Sequence, residues 1–156
     1  MSRLASRLAA SALAAGALLA AAALPASAAD YGRHHPQQRT QVVLGAIQYD
    51  SPGRDNRSNA SLNAEWVTVV NTGRSGVNLS GWTLSDEEHH SYRFTRLWLA
   101  GHSSVRVHTG VGRDTAANVY QDRRGYVWNN DHDTATLRDS HGRIADSKSW
   151  GHRHHR

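Results

Sequence analysis

Leu79-Ser80-Gly81-Trp82-Thr83-Leu84 and, further along, Trp128-Asn129-Asn130-Asp131-His132-Asp133 decide the fold of this 156-residue chain. In the first stretch Ser80-Gly81 turns the backbone, and strand alternation then sends Trp82 and Leu84 to one face. That makes Trp82 a core ring pinned by a tight turn rather than a binding aromatic. In the second stretch Asn and Asp follow a tryptophan in a run suited to hairpin turns, because their side chains bond to nearby backbone.

Working outward, the chain reads as short strands separated by turns. Gln41–Tyr49 is predicted as a strand and Ser51–Leu62, rich in Pro, Gly, Asn and Ser, as a long loop. Glu65–Asn71 (EWVTVVN) is β-branched and aromatic, and Asn71-Thr72-Gly73 closes it. Short strands follow at Val77–Leu79, Trp82–Ser85, Ser91–Phe94 and Leu97–Leu99, with a charged hairpin tip at Asp86–His90. Ser103–His108 alternates cleanly, with Val105 and Val107 inward and Ser104, Arg106 and His108 outward. Asn118–Tyr120, Tyr126–Asn129, Thr134–Arg138 and Arg143–Ser149 complete the set. No segment carries a convincing helical period. Turns about every eight to twelve residues predict an all-β sandwich or barrel, and the lack of βα alternation excludes a parallel nucleotide-binding sheet.

The ordered set of residues resembles the lamin tail domain family. It comprises Glu65-Trp66-Val67, Asn71-Thr72-Gly73, LSGWTL, Tyr92-x-Phe94, Gly101 before Val105-Arg106-Val107, WNNDHD, Thr134-Ala135-Thr136-Leu137, Asp139, Gly142 and Asp146. The likeness covers roughly residues 41–150. It implies an immunoglobulin-like β-sandwich of two packed antiparallel sheets with Greek-key connections, and it implies no activity. Such domains commonly accompany bacterial nucleases, hydrolases and surface proteins. His132 departs from the family pattern, which usually carries Gly at that tip. The acidic, His-rich tip at Asp86–His90 is a second departure.

The N-terminus has the order of a cleavable export signal. Arg3 and Arg7 open it, Leu8–Leu24 is an uncharged Ala/Leu run, and Ala26-Ser27-Ala28 gives a small-x-small cleavage site. Residues 1–28 are therefore expected to be a signal peptide cut after Ala28, of the Sec type, from a GC-rich bacterium. The apolar run is short and Ala-rich for a membrane span, and none follows, so the mature chain is expected to be secreted and without a transmembrane segment. Residues 29–40 read as a disordered linker and residues 151–156 as a His/Arg-rich tail. The first 28 residues hold two of the 18 basic side chains and none of the 13 acidic ones, so the remaining 128 residues carry net +3. With no Cys, stability must come from packing, and the five tryptophans supply large rings for it.

Several residue groups invite a chemical reading. Asn129, Asn130, Asp131 and Asp133 offer oxygen ligands for calcium, with Asp131 and Asp133 the carboxylates. The twelve-residue calcium loop is absent and no Glu closes the set, so turn building is the preferred reading. Eleven histidines suggest zinc. His34 with His35, and His152, His154 and His155, fall in the predicted linker and tail, while His89 and His90 are adjacent and would point apart. Ser85, Asp86 and His89 or His90 lie close in sequence, but no nucleophile motif surrounds them, and no enzyme is expected. Asn56, Asn59 and Asn78 begin glycosylation sequons that would be idle in a bacterial chain. Arg106, Arg123, Arg124, Arg138, Arg143 and Lys148 could contact phosphates, and Tyr120 and Tyr126 flank the Arg pair as in single-strand binders. Interspersed Asp114, Asp122, Asp131, Asp139 and Asp146 favour an ordinary solvated surface instead.

The expectation is a secreted, non-catalytic lamin-tail-like module for extracellular or cell-surface binding or adhesion, with no cofactor and its partner open. The first alternative is a nucleic-acid-associated accessory protein using an Arg-rich face. The second is a His-rich metal-binding protein.

Overall fold

A computed structural model describes residues 41–151. The expected signal peptide (1–28), the linker (29–40) and all of the tail except Gly151 lie outside the described residues, as do His34, His35, His152, His154 and His155.

Among the described residues ten strands and one helix follow in order: β1 Val42–Gln48, α1 Asn59–Ala64, β2 Trp66–Asn71, β3 Val77–Asn78, β4 Thr83–Ser85, β5 Ser91–Arg93, β6 Trp98–Leu99, β7 Ser104–His108, β8 Asn118–Tyr120, β9 Asp133–Arg138 and β10 Ile144–Trp150. One sheet has the order β1-β2-β7-β8, the other β10-β9-β4-β5, and β3 pairs with β6 as a separate ribbon. All pairings are antiparallel except β7 with β8, which run parallel. The expectation of two purely antiparallel sheets is corrected at that one edge.

The core forms where the inward faces meet. Val67, Val69, Val105 and Val107 are fully buried on the first sheet, opposite Leu84, Ala135 and Leu137 on the second. Leu79, Trp82, Phe94, Leu97 and Trp128 join them from connecting segments. Strict alternation in β2 and β7 is what puts the valines on one side. At about 25 cal/mol per Å² of apolar area, such rows supply the stability that disulfides would otherwise add.

The turn at 79–82 is built as its sequence demands. Gly81 sits at φ 86°, a conformation that favours glycine. Asn78 Oδ1 accepts from Ser80 N (2.9 Å), and Trp82 N donates to Leu79 O (2.9 Å). Trp82 is buried, as its alternation with Leu84 predicts.

Two elements differ from expectation. The end of the predicted loop 51–62 folds into α1, which runs on to Ala64. Ser58 caps it, its side chain accepting from Ser61 N, and Leu62 anchors it in the interior. Six residues are too few to display a helical period, and the Asn-Ala-Ser composition disguises the element. The predicted strand Tyr126–Asn129 does not form. The backbone N–H groups of Val127 and Trp128 donate to the Glu65 carboxylate instead of to a neighbouring strand.

Candidate functional site

Glu65 follows α1 and precedes β2, fully buried. Its Oε1 accepts from Thr109 Oγ1 (2.6 Å), Val127 N (2.9 Å) and Trp128 N (3.2 Å), while Oε2 has no hydrogen-bond partner. Burial pushes the carboxyl above its ordinary value, against those three hydrogen bonds, which pull it down. The group fastens segment 126–128 to the sandwich.

The WNNDHD run is occupied in the same way. Asp133 is buried, with Oδ1 accepting from Glu87 N (3.0 Å) and Thr134 N (2.7 Å) and Oδ2 from Asn129 N (3.0 Å). Asn129 Oδ1 accepts from Asp131 N (2.9 Å), and Asn130 Nδ2 donates to Asp50 Oδ1 (3.1 Å). His132 needs no left-handed backbone here, because Asn129 closes the turn. Asp131 is exposed, and among the described residues no three His, Asp or Glu side chains converge as a metal-binding group.

At the tip between β4 and β5, Asp86 is buried. Its Oδ2 lies 2.5 Å from His90 Nδ1, and its Oδ1 accepts from His90 N (2.7 Å). The pair closes the five-residue turn 86–90, whose His89 sits at φ 70°. Among the described residues no hydroxyl hydrogen-bonds the other nitrogen of His90; both hydrogen bonds between the Asp86 carboxylate and His90 lie within the turn itself.

The arginines divide between the sheets. Arg106 lies on the outer face of β7, its guanidinium 4.3 Å from the Trp66 ring centroid, beside His108 stacked on Tyr120 (5.0 Å). Arg123 donates to Ser91 O (3.1 Å), and Arg124 is exposed in the segment after β8. Arg138 and Arg143 belong to the β9–β10 hairpin of the other sheet. Desolvation pushes the Asp139 carboxyl up, but the Arg143 side chain and the N–H groups of Arg143 and His141 outweigh it and hold it below its ordinary value. Lys148 Nζ donates to Gly45 O (2.8 Å). Arg106 and Arg138 thus project from opposite faces of the sandwich.

One concave region mixes side chains that hold backbone, Asp114 and Thr115, with others that do not. Thr95, Arg96, Leu97, Trp98, Asp114, Thr115, Ala116 and Val119 line an open groove of about 350 Å³. Trp98 is 64 % exposed between buried Leu97 and Leu99. Asp114 Oδ1 accepts from Tyr120 N (3.0 Å). Burial, and then the nearby Asp114 and Asp122, push the Tyr92 hydroxyl up to about 12, so it stays neutral. The sequence did carry a signal for Trp98: in a Leu-Trp-Leu strand, two inward leucines force the ring outward. Arg96 and Asp114 come together only through the fold.

Two facing sheets, a β-rich core and the paired sequence signatures define an immunoglobulin-like β-sandwich. The sequence model of the Lamin Tail Domain matches residues 35–152, most of the chain. The chain belongs to the lamin tail domain family. Among curated proteins, none matches the chain. No helix among the described residues is long and apolar enough to cross a membrane.

Proposed function

We propose that this protein is an exported, non-catalytic binding module acting at or outside the cell surface. The observation that carries the reading is the division of labour among its polar groups. Glu65, Asp86 and Asp133 each accept from backbone N–H groups inside the domain, whereas the side chains of Thr95 and Arg96 line an open surface groove without a hydrogen bond among the described residues. Membership of an immunoglobulin-like family supports a binding role, and the Arg3/Arg7 start with its Ala/Leu run and Ala26-Ser27-Ala28 site supports export.

Expression from the full-length sequence tests both halves. The exported form should begin at Ala29 by N-terminal sequencing, and it should be retained by envelope fractions. Recovery of uncleaved protein inside the cell removes the export half. Absence of retention by any envelope fraction removes the binding half.

The nucleic-acid reading has one favourable observation, the Arg106–Trp66 and His108–Tyr120 pairs side by side on the first sheet. A DNA pull-down at two salt concentrations decides it, since phosphate contacts weaken steeply with salt.

A further inference from the structure

We propose that the groove beside Trp98 is a carbohydrate-binding site that takes a pyranose ring of a neutral glycan against the indole. The proposal deepens the binding-module reading and rests on it.

Trp98 is the largest apolar side chain left exposed among the described residues. It is also held in place. A Cβ on Gly76 would lie 2.5 Å from the indole nitrogen, so only glycine lets the backbone approach the ring this closely. Leu97 and Leu99, buried on either side, fix the strand that carries it. A held, exposed indole is a platform for a flat partner with an apolar face.

The rest of the groove specifies that partner's edges. Among the described residues Arg96 makes no hydrogen bond or ion pair, and it sits at φ 47°, a left-handed backbone that favours glycine. Asp114 uses Oδ1 on Tyr120 N, and its other carboxylate oxygen accepts no hydrogen bond. Thr95 adds a hydroxyl that makes no hydrogen bond among the described residues. The groove thus offers strong donors, strong acceptors and a hydroxyl around an apolar platform, with one positive and one negative charge that cancel. A phosphate would meet Asp114 and a cation would meet Arg96. A sugar ring satisfies all of them, because its C–H face is apolar and its hydroxyls both donate and accept. The groove is open, so a ring within a longer chain can lie across it. A folded protein partner fits less well: one exposed indole falls far short of the roughly 1,200–2,000 Å² that stable interfaces bury.

The test is titration calorimetry of the protein, expressed from its full-length sequence, against chitohexaose and cellohexaose. Saturable binding to at least one is expected. Trp98→Ala should weaken it by about tenfold or more, and Trp98→Phe by only about threefold, because a truncated platform loses more than an exchanged one. Unchanged melting temperatures would show that both variants fold. Arg96→Gly should raise the melting temperature while weakening binding, a combination that a merely structural residue does not give. No binding to either hexaose by the unaltered protein, or equal binding by Trp98→Ala, overturns the proposal. So does unchanged affinity in Arg96→Gly, which would empty the groove's polar half of its role. Envelope retention that survives Trp98→Ala, with no hexaose binding, sinks the carbohydrate site alone and leaves the broader reading standing.

Discussion

At the buried start of β2, one carboxylate oxygen of Glu65 serves Thr109, Val127 and Trp128. At the rim, Arg96 has no hydrogen bond among the described residues and Trp98 faces solvent. Both regions combine an aromatic ring with charged groups, and both are fed by segments between strands. In the first, the charged group replaces missing strand partners. In the second, the backbone has its own partners, and the side chains are left over. A charged residue beside a tryptophan is therefore no sign of function until its hydrogen bonds have been traced.

If the contrast is real, the two regions should respond oppositely to substitution. Glu65→Ala strips three buried donors of their acceptor and opens a cavity, and it should cost about 4 kcal/mol in urea-denaturation experiments. A loss below about 1 kcal/mol would break the contrast at its strongest point. Asp133→Ala orphans the N–H groups of Glu87, Asn129 and Thr134 and should cost about 2–3 kcal/mol by the same measurement.

Glu65→Gln keeps an acceptor for the same donors and should change stability at neutral pH by about 1 kcal/mol or less. It should also alter the pH profile. Because burial raises the folded-state value of Glu65, the folded protein holds its proton where the unfolded chain has lost it. Its contribution is fullest below the unfolded value of 4.5 and falls as pH rises through the folded one. Asp139 has the opposite sign, contributing above 3.8 and losing that contribution as pH falls through its lowered value. Denaturation midpoints of Glu65→Gln should therefore decline less than those of the unaltered protein as pH rises above 4.5. Identical profiles would show that the carboxyl does not titrate differently on folding.

Trp98→Ala should move stability least, within about 0.5 kcal/mol, as for a surface side chain. A larger loss would mean that the ring is part of the core after all.

The sequence revealed the sandwich because its strands alternate: β2 and β7 could be assigned by face from EWVTVVN and SSVRVH alone. It did not reveal α1, whose six residues hold no period and whose cap lies in a run of turn formers. Segment 126–129 misled because Tyr-Val-Trp is strand-like in composition, and its true partner, the Glu65 side chain, is 62 residues away from Val127. The chemistry-like residues at 129–133 were legible as turn builders, since Asn and Asp were spaced to reach backbone a few positions on; 85–90 was legible as a hairpin tip, but not the burial of Asp86, whose carboxylate makes two hydrogen bonds with His90. The Trp98 groove was half legible: Leu-Trp-Leu pointed the ring outward, but Arg96 and Asp114 line one groove only because the fold brings the segments before β6 and β8 to it.

The meeting of β1 and β10 has a further consequence. Both are outermost strands, and Leu44 N donates to Asp146 Oδ2 (2.8 Å) while Lys148 reaches Gly45 O, so each stoppers the other with side chains. At the opposite margins, Thr115 N donates to Asn118 O (2.7 Å) and Asp114 accepts from Tyr120 N on β8, and Arg123 donates to Ser91 O on β5. Every open margin of the sandwich thus has backbone groups already engaged, and the two far margins are three residues long. Strand-by-strand aggregation needs a row of idle N–H and C=O groups as a template. A chain that must stay folded without crosslinks carries its own guard against templating, made of one lysine, two aspartates and an arginine.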